Sequence, residues 1–287
     1  MRKLIVLLLL LCSCRPEATN APKAEAVPTV APASPTPAPV EAPAPQVAPT
    51  EAAAPAAPAQ PDPRLDKLLA KVLERQTCNR VTGCPASLVL CKTGQQALPT
   101  LDQALSGGQA HGWQRCRLYW TMGCIGGEGA RGRLLEARAK EATECRLEAL
   151  LALARMGDKR DLPLFQETLK AAAQDDLTRG AAAWGLGRLG DPEGPKVLLA
   201  MLADPGAVNP GATTVALEAV TALRLEDACA LMPKALAPRE VFSLRAALAA
   251  VETLGCPGLE AELQALTTAP WPSVATQAKK LLGKTRP

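Results

Sequence analysis

Arg188-Leu189-Gly190-Asp191-Pro192 decides the fold, because a near copy, Arg155-Met156-Gly157-Asp158, stands 33 residues before it. Working outward, Cys124-Ile125-Gly126 lies 31 residues before Gly157, Cys91-Lys92-Thr93-Gly94 lies 32 before that, and Thr253-Leu254-Gly255 comes 65 after Gly190. The 65-residue gap is a double step whose missing member is Leu223-Arg224-Leu225-Glu226, which has lost its glycine and kept an acidic residue. Before each turn the apolar spacing is helical, clearest at Leu147, Leu150, Leu151 and Ala154 and again at Leu244, Leu248 and Val251. After it the spacing recurs at Leu162, Phe165 and Leu169, at Val197, Leu198, Met201 and Leu202, and at Leu259, Leu263 and Leu266. Glycine ends the first helix because it accepts the left-handed conformation there. Asp158 and Asp191 are placed to cap the second helix, and Pro192 suits a first helical turn. Each repeat reads helix, tight turn, helix, and a period near thirty residues predicts an all-α solenoid of about six helix pairs.

The Arg-Leu-Gly-Asp-Pro turn and the Ala/Leu-rich helices resemble the HEAT family, in particular the short bacterial HEAT-like repeats first named from phycobilisome lyases. The resemblance covers most of residues 80–284, is strongest over 142–268, and weakens before Glu141, where cysteines, Trp113, Tyr119 and Trp120 replace Ala and Leu. It implies a concave face lined by the second helices, which in this family usually binds proteins. Bilin attachment is rejected, since those lyases work inside photosynthetic cells. Helices over Leu65 to Arg75 and Val274 to Leu282 are expected to cover the ends of the stack, where an apolar face would otherwise meet water.

The export argument rests on the N-terminus. Met1, Arg2 and Lys3 open a short Leu/Ile/Val run that closes on Leu11-Cys12-Ser13-Cys14. This resembles a bacterial lipoprotein signal over residues 1–14, with Cys14 as the lipidated mature N-terminus; the alternative is an ordinary secretory signal. Arg15 in place of Asp after the lipid site implies, by resemblance, the outer membrane. Residues 15–63 hold 14 Pro and 16 Ala and no aromatic residue, so they cannot bury a core and are expected to form a disordered tether. Residues 64–287 then form the repeat domain. Its 28 Lys/Arg against 23 Asp/Glu is too mild an excess for a nucleic-acid binder.

Eight cysteines remain after Cys14, an even set that in an oxidising envelope reads first as disulfides. Their places in consecutive repeats suggest Cys229 with Cys256, Cys116 with Cys145 and Cys91 with Cys124, leaving Cys78 with Cys84. A metal site is the alternative, but there is no Cys-x-x-Cys spacing, and no cofactor is implied. Catalysis finds no support. His111 is the only histidine, there is no nucleophile elbow or phosphate loop, and Gly123 to Gly129 follows a helix instead of a strand.

Trp113, Arg115, Arg117, Trp120, Arg131 and Arg133 are the candidate partner-binding residues, because exposed arginine with aromatics anchors many interfaces. The competing reading puts Trp113 and Trp120 on one buried face with the arginines solvated. On the binding reading, Arg131→Glu with Arg133→Glu abolishes partner capture and leaves the melting temperature unchanged. The sequence therefore predicts a lipid-anchored envelope protein whose solenoid is a protein-binding scaffold and not an enzyme. A purely structural envelope role and a helper role in a modification reaction are the alternatives.

Overall fold

The computed structural model describes residues 62–74, 84–171, 175–237 and 240–285. The expected signal, Cys14, the tether as far as residue 61, and Cys78 lie outside these residues. Among the described residues six helix pairs run in sequence order. Their first helices are α2 (Pro85–Thr93), α4 (Trp113–Ile125), α6 (Thr143–Met156), α8 (Asp176–Arg188), α10 (Pro210–Leu223) and α12 (Val241–Leu254). The second helices are α3 (Leu98–Ser106), α5 (Gly127–Lys140), α7 (Leu162–Lys170), α9 (Glu193–Ala203), α11 (Met232–Ala235) and α13 (Glu260–Leu266). Flanking them are α1 (Pro63–Leu73) and α14 (Pro272–Thr285).

Each first helix packs on the next first helix, from α2 on α4 through to α12 on α14, and each second helix packs on the first helix that follows it, from α3 on α4 through to α13 on α14. With neighbours on several sides they bury most of their circumference: α6 buries Cys145, Leu147 and every residue from 149 to 154. The second helices bury only one stripe, as Phe165 and Thr168 do in α7. Small residues permit the close approach. A Cβ on Gly123 of α4 would sit 2.5 Å from the Cβ of Ala152 in α6, and one on Gly194 of α9 would sit 2.4 Å from backbone atoms of Ala183 and Gly187 in α8. Helix-interior glycine costs about 1 kcal/mol in propensity, so its presence here reflects packing.

The turn glycines Gly94, Gly126, Gly157, Gly190 and Gly255 all have φ between 64° and 82°. In the fifth repeat Arg224 takes their place at φ 54°, the one non-glycine residue with positive φ among the described residues. The backbone therefore keeps the turn after the glycine is gone, at a strain of about 1–2 kcal/mol. After the turn, Asp158 accepts a hydrogen bond from the Arg160 amide (3.0 Å) and Asp191 from the Glu193 amide (2.9 Å). Three second segments begin with 3₁₀ turns, at Gly94–Ala97, Lys159–Asp161 and Glu226–Leu231. In the fifth pair only one α-helical turn comes next, α11.

Disulfides cross between neighbouring repeats. Cys91 is joined to Cys124 with Cα atoms 5.5 Å apart, Cys116 to Cys145 at 4.5 Å, and Cys229 to Cys256 at 5.1 Å. Cys84 is also disulfide-bonded, and its expected partner Cys78 is outside the described residues. Hydrogen bonds follow the same one-repeat step. Arg188 donates to the Arg155 carbonyl (3.1 Å) and Lys234 to the Ala203 carbonyl (2.8 Å). In each case the next repeat satisfies a carbonyl in the last turn of a helix, where no intrahelical donor remains.

Candidate functional site

The basic region singled out in the sequence does not form one patch. On α4, residues four apart share a face, and successive faces point to different neighbours. Trp113 and Arg117 form one pair, the guanidinium stacked 4.4 Å from the ring centroid. Arg117 also donates to the carbonyls of Val72 (2.7 Å) and Glu74 (2.6 Å), and Gln114 to that of Leu73 (2.8 Å), so this face closes the end of α1. Burial pushes the Arg117 guanidinium below its ordinary value.

Trp120 is 4% exposed while Trp113 is 45% exposed, so the two tryptophans do not share a buried face. Trp120 packs under Arg155, whose guanidinium lies 4.2 Å from its ring centroid and 5.9 Å from that of Trp184. Trp120 and Trp184 each stand six residues before a turn glycine, two repeats apart, with Arg155 between them on α6. Burial is the main cause that pushes Arg155 down to about 10. This stack ties three consecutive first helices together inside the core.

Arg131 is also internal. It donates to Asp161 Oδ1 from Nε (3.0 Å) and Nη2 (2.6 Å), and Asp161 is 1% exposed. Arg160 bridges the same junction by pairing with Asp158 and Glu128, each at 2.6 Å. The expectation that Arg131→Glu leaves the melting temperature unchanged therefore requires correction. That substitution removes the partner of a buried carboxylate and adds a second negative charge beside it.

Arg115 and Arg133 do meet, in a pocket of about 220 Å³ between α3, α4 and α5. Its walls are Asp102, Leu105, Ser106, Arg115, Tyr119, Arg133, Glu136, Ala137, Lys140 and Glu141. At one side Glu141 Oε1 accepts from Tyr119 (2.6 Å) and from Arg115 Nε (3.1 Å), and it also takes a bond from Arg115 Nη2. Arg115 Nη1 donates to the Leu105 carbonyl (2.9 Å), so α3 ends on this group. Hydrogen bonding from Arg115 is the main cause that holds Glu141 below its ordinary value, while burial, then Glu141, pushes the Tyr119 phenol well up. Tyr119 thus stays protonated and donates.

The other side is more open. Arg133 pairs with Asp102 (3.0 Å) and Glu136 (3.3 Å), and Lys140 with Glu136 (2.9 Å). Arg133 and Glu136 are about half exposed and Lys140 is 74% exposed. The set holds three cations and three carboxylates in a small space, an arrangement suited to holding charge. His111 is exposed, and among the described residues no group of three or more His, Cys, Asp or Glu side chains is placed to hold a metal.

The Tyr119–Glu141 contact and the burial of Asp161 were not foreseen. The Arg115-to-Tyr119 spacing of four residues was visible, but Glu141 arrives from beyond α5 and only the packing supplies it. No curated protein matches the chain. Residues 131–218, from α5 into α10, match the family described as HEAT repeats, in agreement with the helix-pair architecture.

Proposed function

We propose that the chain is a protein of the bacterial cell envelope, anchored through lipid on Cys14, whose HEAT-like repeat domain holds a protein partner. The observation that carries this reading is the set of disulfides between successive repeats, since such crosslinks persist in oxidising compartments and are rare where thiols are kept reduced. The signal-like residues 1–14 agree with that compartment, and among the described residues no helix is long and apolar enough to cross a membrane, so anchoring in this reading runs through Cys14. HEAT repeats generally serve as protein-interaction scaffolds, and the second helices here keep one side exposed. Mass spectrometry of the mature N-terminus tests the anchor: an acylated Cys14 is expected, and an unmodified residue there, or an uncleaved Met1, would refute it. In-cell crosslinking tests the scaffold. One partner recovered at near-equal amounts, and lost in Lys170→Glu with Lys196→Glu on α7 and α9, is the expected result; scattered abundant envelope proteins would overturn it.

A further inference from the structure

We propose that the pocket between α3, α4 and α5 binds a small zwitterion, an amino acid or short peptide carrying both a free ammonium and a free carboxylate. Its volume of about 220 Å³ is below the range of drug-sized sites, which limits the ligand to roughly this class. Asp102, Glu136 and Glu141 balance Arg115, Arg133 and Lys140, so a ligand of net zero charge with both signs disturbs the site least.

Glu141 takes its hydrogen bonds on Oε1, and none reaches Oε2 among the described residues. Asp102 Oδ1 is buried and makes no hydrogen bond, although Arg133 Nε stands 3.0 Å away as an ion-pair partner. Two carboxylates with unused acceptor capacity thus share one pocket. Arg133 is about half exposed and Lys140 is 74% exposed beside them, and ion pairs this open to water are weak, so they exchange readily. In the bound state Arg133 turns from Asp102 to the ligand's carboxylate, with Lys140 beside it. The ammonium then takes the vacated position against Asp102 and Glu141. One weak internal ion pair is replaced by two with the ligand, and the pocket's charge balance is kept. Arg115 and Tyr119 do not move in this exchange; their bonds to Glu141 orient its free oxygen.

The test is calorimetric titration of the full chain in detergent with alanylalanine, its N-acetyl form and its C-terminal amide. The free dipeptide is expected to bind at least ten-fold more tightly than either blocked form. Arg133→Gln is expected to bring the free dipeptide level with the amide, and Asp102→Asn to bring it level with the N-acetyl form, each with a far-ultraviolet spectrum like that of the native chain. Equal binding of all three probes, or no binding of the free dipeptide, overturns the proposal, as does full binding of either blocked form. Crosslinking of the Arg133→Gln chain separates this outcome from the scaffold reading: a protein partner retained there leaves the scaffold standing whatever the titration shows.

Discussion

Residues 84–141 and residues 143–223 build the same helix pairs from different materials. In the later stretch Ala181, Ala182, Ala183, Ala216 and Ala219 are fully buried, and glycines at 185, 187 and 194 let neighbouring helices approach until a single methyl group would collide. The earlier stretch carries Trp113, Tyr119 and Trp120 on α4 and has one close approach of this kind, Gly123 against Ala152 at the junction with α6. It is held as well by Cys91–Cys124, by Cys116–Cys145 at its junction with α6, and by arginines that reach back to the carbonyls of α1 and α3. The third described disulfide, Cys229–Cys256, serves the fifth repeat, whose glycine is lost and whose second helix is reduced to a turn. Crosslinks therefore gather in the repeats that depart from the Ala/Leu pattern or have lost the turn glycine, and at the α4–α6 junction one of them adds to close packing of Gly123 on Ala152. A repeat stack is a chain of nearest-neighbour interfaces, so each interface can be secured locally by whichever means its residues allow.

The largest expected effect breaks the packing half of this contrast. Gly194→Val places branched atoms against the backbone of α8, which cannot retreat, and is expected to lower unfolding stability by about 3 kcal/mol or more in denaturant titration. Next, Cys116→Ser with Cys145→Ser opens a bridge across 29 residues and is expected to cost about 3 kcal/mol. Hydrogen exchange should show that loss concentrated in α4 and α6; a loss spread evenly to α12 would contradict the local account. Arg131→Glu is expected to lower the melting temperature, by about 3 kcal/mol of stability, because Asp161 is left buried without its partner. Arg133→Glu, at a half-exposed residue, leaves it nearly unchanged.

Acid sharpens the comparison further. Glu141 has its folded value depressed, so its contribution is fully present above the ordinary carboxylate value of 4.5 and is lost as pH falls through the lower folded value. The melting temperature of the native chain should fall more steeply below that point than that of Glu141→Gln, and parallel curves would remove Glu141 as a cause. The smallest effect is a gain. Arg224→Gly relieves a positive φ and is expected to add about 1 kcal/mol, whereas Gly132→Ala, an exposed position on α5 with open space around it, should add a similar amount through helix propensity alone.

Much of the fold was legible in the order of residues. The turn glycines, the capping aspartates and the 3.6-residue apolar spacing are local signals, and each acts within one or two turns of chain. That is why the helix pairs and their approximate number could be read before any packing was known, and why Leu223 to Glu226 could be recognised as a turn without its glycine. The candidate site was legible only in part. Arg115 and Arg133 were named as binding residues together with Trp120 and Arg131, and sequence offered no means to separate the pocket from the interior, since all four are large side chains on neighbouring helices.

The sequence by itself determined the period and the helix–turn–helix unit, because these depend on backbone preferences and short-range order. The tertiary structure alone decided which arginines cap a preceding helix, which one lies between Trp120 and Trp184, and that Glu141 meets Tyr119 and Arg115. Those outcomes depend on the rotation of each helix about its axis against the next repeat. A shift of one residue there turns a side chain by about 100°, from the core to the pocket or to water.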